Sequence, residues 1–260
     1  MHLADGILTH PGVLISGNAI GAGLGALVLR AAERTRERGV VWTGTLAAFV
    51  LAAQALNVPL VPGASAHVIG AGLLTLALGP GRAALALLSV VCVQALLFAD
   101  GGITTLGINA LHIALIPTFT THFVARRLGP GRLELAALCG TLLGNALSAA
   151  SLALMLTLGA GASATLAFGW LVGVQSVAGL IEGILTALAV RQLRARAPAL
   201  LHAARAPRPE ASPAVPTSDG ADRRRGLAWA ALAVAVIVLL LPLASRAPDA
   251  LDRVVGQARP

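Results

Sequence analysis

Long apolar runs separated by short clusters of Arg, Pro and Gly leave this chain few possible folds. The runs fall near Leu14–Leu29, Val41–Leu56, Ala66–Leu78, Ala83–Ala99, Ile103–Val124, Leu133–Leu158, Leu166–Val190 and Leu227–Leu243. In hydrocarbon, backbone N–H and C=O groups must be satisfied within the protein, so runs of this kind become helices. The composition agrees: 57% of residues are hydrophobic, 12% are charged, and the mean hydropathy is +0.82. The 29 Gly predict close helix packing through small residues. The expected fold is an all-α integral membrane protein with a seven-helix core and one C-terminal transmembrane helix.

The third run is short. About 13 residues at a rise of about 1.5 Å cover roughly 20 Å of a core about 30 Å thick. Its N-terminal end, Ser65-Ala66-His67, is expected to start inside the membrane, after an irregular segment Asn57-Val58-Pro59-Leu60-Val61-Pro62-Gly63 that dips in and lines a protein cavity.

The basic residues orient the chain. All are Arg, because the sequence holds no Lys. With the first residue outside and the spans alternating, sixteen arginines fall on the cytoplasmic side: Arg30, Arg34, Arg36, Arg38, Arg82, Arg126, Arg127, Arg132, Arg191, Arg194, Arg196, Arg205, Arg208, Arg223, Arg224 and Arg225. Only Arg246, Arg253 and Arg259 fall outside. That asymmetry predicts eight spans with both termini external. The net charge of +8 therefore sits in short loops between spans, and a nucleic-acid partner is not expected. The domain division is 1–194 as a membrane core, 195–225 as a flexible Pro- and Arg-rich cytoplasmic linker, and 226–260 as an accessory helix with an external tail. Cys92 and Cys139 stand alone in apolar segments and read as buried thiols. Residues Met1 to Asn18 begin polar and lack a basic start, so no cleavable signal peptide is expected.

Met1-His2 places three nitrogens on one short stretch: the terminal amine, the His2 amide and the His2 imidazole. Amine and amide close a five-membered chelate, and amide and Nδ1 close a six-membered one. Such a planar nitrogen set suits Ni(II) or Cu(II). Of the other histidines, His10 lies at the external end, His112 and His122 lie in the fifth span, where a hydrogen-bonded ring is the favoured reading, and His202 lies in the linker. His67 differs, because the sunken start of the third span sits at a depth an inserted N-terminus reaches. It supplies the fourth nitrogen.

The residues around these positions resemble the CbiM/NikM family, the substrate-binding (S) components of nickel and cobalt energy-coupling-factor (ECF) importers. The resemblance begins at Met1-His2-Leu3-Ala4-Asp5-Gly6 and continues through Gln54-Ala55-Leu56-Asn57-Val58-Pro59 and Gly63-Ala64-Ser65-Ala66-His67. It then covers Gln94-Ala95-Leu96-Leu97-Phe98-Ala99-Asp100-Gly101-Gly102-Ile103-Thr104 and Leu106-Gly107-Ile108-Asn109, within roughly Met1 to Arg194. It implies a transport subunit rather than an enzyme. The metal is held by four nitrogens in a square plane: the Met1 amine, the His2 amide, the His2 imidazole and His67. Ni(II) is the expected cargo, with Co(II) as the alternative. The implied partners are a transmembrane scaffold (T) subunit and two ATPase subunits, in the cytoplasmic membrane of a bacterium or archaeon. The chain has no Lys for a phosphate-binding Gly-x-x-x-x-Gly-Lys-Ser/Thr loop. The tail Pro248-Asp249-Ala250-Leu251-Asp252 resembles the Pro-Asp-Gly-Leu-Glu motif of the NikN/CbiN accessory component, with Ala250 in place of Gly and Asp252 in place of Glu.

Other residues carry two readings each. Asp5 balances charge near the metal or marks a solvated turn. Ser65 caps the third span or bonds a ligand imidazole, the cap being favoured. Asp100, Thr104 and Asn109 orient His67 or stabilise a loop. Glu182 pairs with His112, pairs with another buried polar group or couples ions. Gly17, Gly21 and Gly25, with Ala22 and Ala26, make a small-residue stripe for internal packing or for docking the scaffold subunit. Two other functions fit parts of the sequence: a secondary metal/proton carrier relaying through Glu182, His112 and His122, and an intramembrane hydrolase on Ser65 and His67. The hydrolase is disfavoured, because side chains two apart on a helix do not meet.

Overall fold

The structure is a computed structural model describing residues 2–33, 40–56, 58–61, 64–204, 251 and 254–255. Seven helices follow one another among the described residues: α1 (Pro11–Glu33), α2 (Val40–Gln54), α3 (Ala71–Leu78) and α4 (Pro80–Leu97), α5 (Leu106–Leu128), α6 (Leu133–Ala160) and α7 (Ala164–Arg196). They coincide with the first seven apolar runs. α1, α4, α5, α6 and α7 are long and apolar enough to cross a membrane, and α2 is a shorter apolar helix. The expected eighth span lies outside the described residues.

The third run departs from expectation. Its helix holds only 8 residues, and before it the chain forms an antiparallel hairpin of β1 (Val58–Val61) and β2 (Ala64–Ala66), pairing Val58 with Ala66 and Pro59 with Ser65. The fold is thus helical with one hairpin set into it. Gly70, not Ser65, precedes the first turn of α3, with φ +83°. Ser65 lies in β2 and does not cap the helix, because Ile69 and Gly70 make a turn between strand and helix. Pairing within the hairpin satisfies backbone groups that face across it, which helps make non-helical chain tolerable inside a bundle.

The helices meet along small residues. The Gly17, Gly21 and Gly25 edge of α1 is buried, and a Cβ on Gly21 would lie 1.8 Å from the Gly107 carbonyl oxygen of α5. That edge is an internal contact, and Ala22 and Ala26 are exposed beside it. α5 is irregular. Its Ala110–Leu115 segment is a π-helix, followed by Pro117. In π register the His112 carbonyl would accept from residue 117, and proline has no N–H to give. Ser148 of α6 donates to that carbonyl instead.

The cytoplasmic end expected of α7 continues into the core rather than leaving as linker. After turns at Pro198–Leu200 and His202–Ala204, Leu201 is fully buried with Leu76, Leu133, Ala137 and Val190. His202 is exposed and lies against Gly79, which a Cβ would bring within 2.9 Å of its ring. Of the accessory tail, Leu251, Val254 and Val255 are described; the first two are buried in the main core and Val255 packs against it, partly buried. The rest of that tail, and residues 205–225 of the linker, lie outside the described residues.

Candidate metal centre

The segment before α1 is held to the loop between α4 and α5. Leu3 is the anchor: its N–H donates to Asn109 Oδ1 at 2.8 Å, and its carbonyl accepts from Asn109 Nδ2 at 2.9 Å, Thr105 Oγ1 at 2.6 Å and the Gly102 N–H at 2.8 Å. Asp5 reinforces this from the surface. Its carboxylate accepts from the N–H groups of Thr104 at 2.8 Å and Ile103 at 3.1 Å, and from the Thr104 hydroxyl. The Thr104 hydroxyl bond above all holds the Asp5 carboxyl below its ordinary range. From α1, Asn18 accepts the Gly107 N–H at 2.8 Å and donates to the Thr104 carbonyl at 2.7 Å. These bonds fix the backbone beside His2 before any ligand arrives.

His2 and His67, 65 positions apart in sequence, stack with ring centroids 5.1 Å apart and planes 16° from parallel. Each ring has a neighbour that sets its protonation. His67 Nδ1 lies 2.9 Å from the Val68 carbonyl, which only accepts, so Nδ1 bears the proton and Nε2 the lone pair of the neutral ring. For His2 the determinant is remote. The Ile69 carbonyl accepts from Gln54 Nε2 at 2.8 Å, so Gln54 turns its oxygen to Gln94. Gln94 Nε2 donates to it at 2.8 Å, and Gln94 therefore presents Oε1 to His2 Nε2 at 3.1 Å. An amide oxygen requires a donor there, so His2 keeps its proton on Nε2.

His2 Nδ1 lies 3.3 Å from Asp100 Oδ1. In the doubly protonated ring Nδ1–H donates to that carboxylate. Removing this one proton leaves the lone pair on Nδ1, because Gln94 retains Nε2–H. The His2 hydrogen bond, aided by the charges of His2 and His67 against the upward push of burial, holds the Asp100 carboxyl below its usual range.

Among the described residues no group of three or more His, Cys, Asp or Glu side chains forms a metal cluster. Met1 lies outside the described residues, and the Ser65 side chain is not described. Asp100, Thr104 and Asn109 contact His2, Asp5 and Leu3 in turn. Sequence reasoning missed Gln54 and Gln94 as site residues. The available signal was an uncharged amide inside an otherwise apolar run, which is costly unless bonded. Glu182 bonds Ile69, Gly70 and Asn145, not His112. His112 is fully buried with neither ring nitrogen bonded among the described residues, so its expected hydrogen bond is not formed there.

Residues 2–200 match the family model described as cobalt uptake substrate-specific transmembrane region, CbiM. The chain belongs to this CbiM family. A cobalt transport protein CbiM of Sorangium cellulosum is 34% identical over 213 residues, 77% of this chain and 94% of that one. A protein of Archaeoglobus fulgidus named as a fused nickel transport protein, NikMN, is 35% identical over 170 residues, 63% of this chain and 56% of that longer one. The crystal structure of a transition metal transporter superposes with a TM-score of 0.68 at 27% identity, covering 75% of this chain and 93% of that chain. A truncated transition metal transporter gives 0.67, covering 75% and 99%. This CbiM-family chain is a multi-pass membrane protein, and its family and relatives are transport components rather than enzymes.

Proposed function

We propose that the chain captures a divalent transition metal, Ni(II) in preference to Co(II), at the paired His2 and His67, as the substrate-binding subunit of an ATP-driven ECF importer. The observation that carries this reading is the stacked pair, with the Gln54–Gln94 relay reserving His2 Nδ1. That nitrogen is the one that closes a six-membered chelate with the His2 amide. The Met1 amine would complete a five-membered ring, and His67 would take the fourth corner. A planar four-nitrogen set with a deprotonated amide favours Ni(II) over the less tetragonal Co(II). The Archaeoglobus relative named for nickel points the same way, while the Sorangium relative named for cobalt keeps the alternative.

In this reading the metal enters from outside, the termini are external, and energy comes from a scaffold (T) subunit with two ATPase subunits in the cytoplasmic membrane. Metal titration of the purified full chain with Ni(II) and Co(II) tests it. The expected result is one equivalent of Ni(II) bound more tightly than Co(II), with the yellow absorption of square-planar Ni(II). Octahedral spectra or no binding refute it. Metal uptake into liposomes driven by a pH gradient, without any ATPase, would support the secondary-carrier alternative instead.

A further inference from the structure

Glu182 lies within α7 and is 4% exposed. Its two oxygens grip consecutive backbone amides of the turn that follows His67: Oε2 accepts the Ile69 N–H at 2.9 Å, and Oε1 accepts the Gly70 N–H at 2.8 Å. Asn145 of α6 donates to Oε2 at 3.2 Å. Each of the two adjacent amides thus meets its own oxygen of one carboxylate, and the chain then passes through the left-handed region at Gly70, φ +83°. A Cβ at Gly70 would also come within 2.6 Å of Val50. The opposite side of the same residue is held by α2, through Gln54 and the Ile69 carbonyl. Residue 69 is thus fixed from both faces, two positions after His67.

A buried carboxylate is a costly way to fill space, and a packed apolar side chain would serve stability as well. What the carboxylate adds is two fixed amides, and with them the direction of the His67-Val68 backbone, whose carbonyl in turn sets the His67 ring. We propose that Glu182 is a positioning residue for His67, locking the turn so that the imidazole faces His2 before metal arrives. This inference rests on His67 being a metal donor.

A double-mutant cycle tests it. Ni(II) affinity is measured for the full chain, Glu182→Gln, His67→Ala and the double variant, together with the thermal midpoint of each metal-free protein. The three nitrogens of the N-terminal chelate remain in the His67→Ala background, so binding there stays measurable. Partners that orient a ligand typically contribute about 10- to 100-fold in affinity. Glu182→Gln is therefore expected to weaken Ni(II) binding by about that factor when His67 is present and by less than about threefold when it is absent. Equal losses in both backgrounds would mean a general structural role and overturn the proposal. If Glu182→Gln does not yield folded protein, Asn145→Ala replaces it in the same cycle. The expected loss is then about threefold, again confined to the background with His67, and equal losses again overturn it. If His67→Ala itself leaves affinity unchanged, the metal-site reading and this inference both fall, a result distinct from additivity.

Discussion

The Ile69 carbonyl determines which ring nitrogen of His2 keeps its proton. Between them stand only two glutamines, and the direction of each amide is forced by the one before it. A backbone carbonyl cannot donate, so the order of donors runs one way, from His2 Nε2 to Ile69.

Gln94→Leu tests this relay. The substitution removes the acceptor for His2 Nε2–H and leaves Gln54 Oε1 without its donor. Ni(II) affinity is expected to fall about 10- to 100-fold, as read by calorimetric titration. Gln94→Glu keeps an acceptor for His2 but cannot donate to Gln54, and an intermediate loss is expected.

Asn109→Ala tests the anchoring of the N-terminal segment. Asn109 satisfies both polar groups of the buried Leu3 peptide, and an unsatisfied buried donor costs about 1–3 kcal/mol. The segment is expected to become accessible to protease in the metal-free protein, and Ni(II) is expected to bind more weakly. Unchanged proteolysis would show that Thr105 and Gly102 suffice.

The small-residue edge of α1 separates into an internal and an external part. Gly21→Ala would press a methyl group into the Gly107 carbonyl, backbone against helix, so α1 and α5 must move apart. A loss of about 1–3 kcal/mol or more is expected, seen as a lower thermal midpoint in detergent. Ala22→Leu, on the exposed side, is expected to leave that midpoint unchanged.

Truncation tests the chain after α7. Ending the chain before Pro198 removes Leu201 from its cluster, and losing a buried leucine costs about 2–5 kcal/mol. Ending it after Ala204 keeps that contact. The first variant is expected to melt well below the second.

The span positions were legible in the sequence because apolar runs and their Arg, Pro and Gly boundaries are local signals. The pairing of His2 with His67 was legible from depth and from the motif blocks. What escaped was non-local hydrogen bonding. Nothing in the periodicity of α4 shows that Gln94 meets Gln54, and the α7 pattern does not disclose that Glu182 binds the backbone of a turn 112 positions away. Ser65 was misread for a related reason: a serine before an apolar run resembles a helix cap, but the Val58–Ala66 pairing competed for that backbone and won. The docking of Leu201 was hidden by its Ala- and Pro-rich surroundings.

In the proposed centre the amine of Met1 closes the metal site beside His2 and His67. Ni(II) affinity of the protein beginning at Met1, compared with a form carrying one additional residue before it, tests this most directly. The extension is expected to abolish high-affinity binding and the square-planar absorption while the fold, read by thermal unfolding, is unchanged. Equal affinity in the two forms would contradict it.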